Sequence, residues 1–223
     1  MVPWDEIFST LQVLTQYILI EEITLLSIFI GGIKMFADTI TVLKAYHEAG
    51  HAVVGHALGR CIESVALLSG EDGYGGYCRF SAYIEDANGH PEWNEKSANP
   101  DLITIYYAGM LSTASYCSLY LALDEEDDSV RYPEGSERDD LERIKRILSQ
   151  MDIDQQQREA ITDTCWAQAQ TILSDYSMAV DKVAAMLVKR GLLTGHAAHR
   201  LIWQAVGYPD HDWRFVALGI KKK

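Results

Sequence analysis

Two histidines and a glutamate fall within five residues, His47-Glu48-Ala49-Gly50-His51. Residues four apart share one face of an α-helix, so His47 and His51 can offer two imidazole nitrogens to one metal ion. Such nitrogens hold Zn2+ at about 2.0–2.1 Å. Glu48 follows the first ligand directly. It can reach a water at the metal without ligating the metal, which is the position of a general base. The flanks, Ala45-Tyr46 and Ala52-Val53-Val54, make this an apolar helix. Burying two imidazoles and a carboxylate there is costly without a metal. The pattern implies a zinc hydrolase in which Glu48 activates water.

A catalytic zinc takes three protein ligands and keeps one position open. A third histidine in the metzincin arrangement is excluded, because Val54 and Ala57 stand where its Gly and His belong. His56 is five residues from His51, on a different face, and reads as a polar surface or outer-layer residue. Glu71 has a suitable spacing but falls in a glycine-rich turn. Spacing from the two histidines leaves the third ligand open.

These residues need a scaffold, and the sequence outlines one. A helix from Thr39 or Thr41 to about Gly59 carries the histidines. Ile62 to Leu68 and Tyr77 to Tyr83 read as two strands of a hairpin around Ser69 to Gly76, a turn containing Gly70, Gly73, Gly75 and Gly76. Glu85 to Asn99 is a polar loop. Asn99 or Asp101 caps a long apolar helix over Leu102 to Leu123; its hydroxyls and small residues suit a buried helix better than a membrane span. An acidic loop over 124 to 137 follows. Asp139 or Asp140 then starts a helix to about Met151. Asp154 starts one long helix through Arg190, stopped by Gly191, and Thr194 to Val206 forms the last. The expected fold is mostly α with a small β-hairpin.

The chain has 223 residues, 48% apolar and 23% charged, the mix of a folded protein. Its net charge of -13 repels phosphate backbones, so nucleic acid is excluded as an expected partner. Cys61, Cys78, Cys117 and Cys165 form no CxxC pair and no disulfide framework, which points to a reducing, cytoplasmic setting. Residues 7 to 36 are rich in Ile, Leu and Phe, but lack the features of a signal peptide. Glu21 and Glu22 leave an apolar run shorter than the roughly 20 residues a bilayer needs. Two amphipathic helices that dock on the body or on another subunit are expected. A membrane-associated anchor is the alternative.

Ala45 to Gly55, Ala-Tyr-His-Glu-Ala-Gly-His-Ala-Val-Val-Gly, closely resembles the peptidase domain of the FtsH family of ATP-dependent metalloproteases. Gly73 to Phe80 resembles that family's glycine-containing turn into a strand. Tyr107-Ala108-Gly109 resembles its Ala-Gly-Arg helix, and Gly135 to Arg143 its Gly-Ala-Ser-Asn-Asp-Leu segment. The resemblance implies an FtsH peptidase-like helical fold, bound Zn2+ and a third ligand at Asp140, with Asp139 as its competitor; backbone N–H groups and the helix dipole favour a carboxylate near a helix start, and either residue could equally be an ordinary N-cap. It divides the chain into an apolar helical appendage (1–38), a zinc peptidase domain (39–206) and a tail (207–223). No GxxxxGK[ST] loop is present, so an ATP-driven unfoldase is not expected. Met110-Leu111-Ser112-Thr113-Ala114 replaces the family's charged Gly-Arg-Ala-Glu-Glu. The expected function is ATP-independent zinc metallopeptidase action on peptides or unfolded proteins. The alternative is a catalytically idle, zinc-stabilised binding or assembly module of the same fold. Homo-oligomerisation, and weak membrane association through residues 1–38, are carried as further partner expectations.

Overall fold

A computed structural model describes residues 39–68, 75–81, 99–120, 136–208 and 214. All belong to one compact unit, Ala37–Lys223. The expectations for the N-terminal appendage, the acidic loop, Glu71 and most of the tail lie outside these residues. Among the described residues the protein is mostly helical, with one small antiparallel sheet, as expected.

Helix α1 (Thr39–Ala57) is the central element. Ala45, Ala49, Ala52 and Val53 pack into one apolar cluster, while Val54 packs into a second. A helix between two cores is buried nearly all round, which explains its small and β-branched residues. Its glycines mark close neighbours. A methyl group on Gly50 would overlap the Ala108 carbonyl oxygen, and one on Gly55 would overlap the Phe80 ring. The helix ends where Gly59 adopts a left-handed conformation (φ 82°) and Arg60 N–H bonds to the Gly55 carbonyl at 2.8 Å.

Strands β1 (Ile62–Leu67) and β2 (Gly76–Phe80) form the expected hairpin, with Val65 opposite Cys78 and an irregularity between Ile62 and Ser64. A third strand, β3 (Leu192–Thr194), pairs antiparallel with the other side of β1 and was not anticipated. Among the described residues the order is β2-β1-β3, with β2 at an edge.

Helix α2 (Pro100–Tyr120) is the long apolar segment. The Asn99 side-chain oxygen accepts the Asp101 N–H at 2.8 Å, so Asn99 is its cap. Leu102, Ile103, Ile105 and Ala108 are buried in the second cluster. Among the described residues no helix is long and apolar enough to cross a membrane.

Helix α3 (Ser136–Gln150) begins earlier than expected, so neither Asp139 nor Asp140 starts it. Asp140, Ile144 and Ile147 are buried at four- and three-residue steps, placing Asp140 on the core-facing stripe. Asp139 is exposed.

The expected single helix from Asp154 to Arg190 is two: α4 (Gln155–Asp175) and α5 (Ser177–Arg190), broken at Tyr176. No Gly or Pro marks the break. Cys165 and Ala169 of α4 bury into the second cluster, whereas Ala179, Val183, Ala184 and Leu187 of α5 bury into the first. The break at Tyr176 lets the two halves face different cores, so packing overrides the continuous helical pattern. Asp154 caps α4 with a reciprocal capping box to Gln157. Helix α6 (Gly195–Val206) is capped by Thr194, whose hydroxyl accepts the Ala197 N–H.

Candidate metal centre

Helix α1 presents His47 and His51 on one face, and α3 brings Asp140 to meet them. The two Nε2 atoms are 3.0 Å apart. Asp140 Oδ2 lies 3.0 Å from each. All three residues are buried. Three donor atoms at such spacing suit one ion at ordinary bond lengths of about 2.0–2.2 Å. Oδ2 is fully enclosed yet takes no well-directed hydrogen bond. Two ring nitrogens and a carboxylate oxygen this close need positive charge between them, as a proton or a cation. Their chemistry, two imidazoles and one carboxylate, fits a divalent ion. The cluster could therefore hold a metal ion.

The surrounding backbone fixes the ligands. His51 Nδ1 donates to the Ile105 carbonyl at 2.7 Å, which leaves Nε2 as the free lone pair. The two imidazole rings stand perpendicular, with centroids 4.6 Å apart. Above them lies Gly109 of α2. A Cβ there would sit 2.5 Å from His51 Cε1 and 2.7 Å from His47 Cε1. Ser112 Oγ donates to the Tyr46 carbonyl at 2.7 Å, tying α2 to α1 just before His47. The Ala-Gly pair at 108–109 stood out in the sequence, but its role as a side-chain-free roof did not. The Ile105 carbonyl left no sequence signal, because any residue supplies one.

Glu48 is buried beside the cluster and is not among its three converging ligands. A Cβ on Gly76, the first residue of β2, would lie 2.5 Å from Glu48 Oε1. Thus β2 closes directly over the carboxylate. Burial pushes the Glu48 carboxyl up to about 7. Burial also opposes charge on His51, but the Asp140 carboxylate outweighs it, with help from Glu48 and the Ile105 carbonyl, and lifts His51 to about 9. Burial lowers His47. Burial works to raise the Asp140 carboxyl, yet the two histidines hold it well below the usual carboxylate range. Without a cation, the cluster keeps a proton instead.

His56 is not at the surface and not in this cluster. It is buried a turn and a half beyond His51, with its Nδ1 2.6 Å from His199 Nδ1 of α6. His199 Nε2 accepts the Ile62 N–H at 2.9 Å. Arg214 donates to the His56 and Arg60 carbonyls. The pair joins α1, β1 and α6 and plays no part in the metal centre.

No protein-family model matches the sequence, and no curated protein matches it.

Proposed function

We propose that this chain is an ATP-independent zinc metallopeptidase, with a peptidase domain of the FtsH type. One observation carries the reading. His47, His51 and Asp140 converge to a triangle of ligand atoms 3.0 Å on a side, with Glu48 buried next to it and outside the ligand set. The resemblance around residues 45 to 55 supports zinc over other divalent ions. His47, His51 and Asp140 would hold the zinc, which would supply Lewis acidity toward a peptide carbonyl and a water.

Glu48 acts on protons. Its carboxyl, raised to about 7, accepts a proton from the attacking water and can return it to the leaving amine. Water oxygen bonds to the carbonyl carbon, and the C–N bond then breaks as nitrogen gains the proton. Edge strand β2 starts at Gly76 against Glu48, so an extended peptide pairing along β2 would pass the base. Peptides and unfolded chains are the substrates this reading assigns.

The test is direct. Purified protein should contain about one zinc per chain and cleave casein. Glu48→Gln should keep the zinc and lose cleavage. A zinc-loaded wild type that cleaves no peptide would refute the reading and favour the idle binding module. Ser112 and Thr113, buried as packing residues where the family carries charge, are the observation on that side.

A further inference from the structure

The flank of the metal centre carries two polar side chains that ligation does not use. Tyr106 follows Ile105, the residue whose carbonyl orients His51. Its ring stands edge-on to the His51 ring, with centroids 6.3 Å apart and planes at 81°. Arg143 lies three residues beyond Asp140 on α3, on the neighbouring turn. Its guanidinium carbon is 5.8 Å from the centre of the Tyr106 ring, and its Nη1 is 3.4 Å from the phenol oxygen. Tyr106 is half-buried and Arg143 is exposed, so the pair bridges the enclosed cluster and solvent. Thus α2 orients His51 through Ile105 and places a phenol one residue later. Helix α3 presents Asp140 and places a cation one turn later.

Arg143 donates toward the Tyr106 oxygen. That leaves the phenol O–H proton to be donated elsewhere. We propose that Tyr106 and Arg143 receive the carbonyl oxygen of the bound peptide and stabilise the negative charge that develops on it. This rests on the peptidase reading. When water attacks, the carbonyl π pair moves onto oxygen while Glu48 takes the water proton. When the tetrahedral species collapses, the pair re-forms C=O, the C–N bond breaks and the amine takes the proton. A chain of net charge -13 opposes an extra negative charge, and a guanidinium one turn from Asp140 offsets that locally.

The experiment compares zinc-loaded wild type with Tyr106→Phe, Arg143→Ala and Arg143→Lys in the full chain. Zinc content and circular dichroism should match wild type in all three, because none of these groups is a ligand. On a casein-derived peptide, kcat should fall roughly 10–100-fold in Tyr106→Phe and about 10²–10³-fold in Arg143→Ala, with KM nearly unchanged. Arg143→Lys should recover part of the loss. A phosphinic peptide, whose tetrahedral oxygen copies the developing charge, should bind more weakly in proportion to the lost kcat. That binding should fall equally in a Glu48→Gln background, where no turnover occurs. Unchanged kcat with unchanged phosphinate binding in folded, zinc-loaded variants would overturn the proposal while the peptidase reading stood. A change in KM alone would also overturn it. A wild type that cleaves nothing would remove both.

Discussion

Lowering the pH should destabilise this protein through His56. His199 Nε2 accepts the Ile62 N–H, so the His199 proton sits on Nδ1 and is donated to His56 Nδ1 at 2.6 Å. A proton added to His56 Nδ1 would set two N–H groups face to face. Burial, then the charges of Arg214 and His199, push His56 down to about 2. The unfolded chain, with an ordinary histidine near 6.5, therefore binds a proton that the folded chain refuses. Stability from this group is intact above pH ~6.5 and falls by about 1.4 kcal/mol for each unit below it, until the folded value is reached. Between pH 7 and pH 4.5 the loss is about 2.5–3 kcal/mol, a large share of the 5–15 kcal/mol that holds a typical domain. Urea unfolding of wild type and His56→Gln at both pH values isolates it from the metal ligands, which titrate in both proteins. Wild type should be the more stable at pH 7, and its advantage should shrink by about that amount at pH 4.5. An advantage that stays constant with pH would refute the tautomer assignment and the argument built on it.

The metal centre makes further predictions. Asp140→Ala should bring zinc content close to zero, whereas Asp139→Ala, changing an exposed residue, should leave it intact; elemental analysis decides. Gly109→Ala drives a methyl into both imidazoles and should weaken zinc binding about 10–100-fold by competition with a chelating dye. Gly76→Ala presses on Glu48 instead, so it should retain zinc and lose casein cleavage. On the zinc reading, the ion would displace the proton held on His51, so apparent affinity should rise with pH, by at most tenfold per unit, and level off near 9. In metal-free protein the sign reverses. That proton stabilises the fold below the unfolded value of about 6.5, and its contribution disappears as pH rises through about 9.

How much of this was legible differs residue by residue. His47, Glu48 and His51 could be read from the sequence because ligand spacing and helix period coincide. Asp140 was separated from Asp139 only by the resemblance, although a physical signal existed. Asp140 is in phase with Ile144 and Ile147, and Asp139 is not. The phase is visible only for a helix that starts before Asp139, as this one does at Ser136. The break at Tyr176 was not legible, because the two halves differ in the core they face and not in local propensity. Strand β3 is three residues long and exists through its pairing with β1. His56 and His199 lie 143 positions apart, and no local pattern joins them.

Gly109 has a consequence for descent. The candidate metal pocket is roofed by an absent side chain, so one nucleotide change to alanine is a short route to weaker metal binding while the apolar clusters persist. A relative that keeps the His-Glu-x-x-His letters but carries a larger residue at this position is expected to hold the ion poorly. A relative that keeps the glycine, even with a drifted hairpin, still has room for the ion. The identity of residue 109 thus serves as a marker for sorting working from vestigial copies, independent of the ligands themselves.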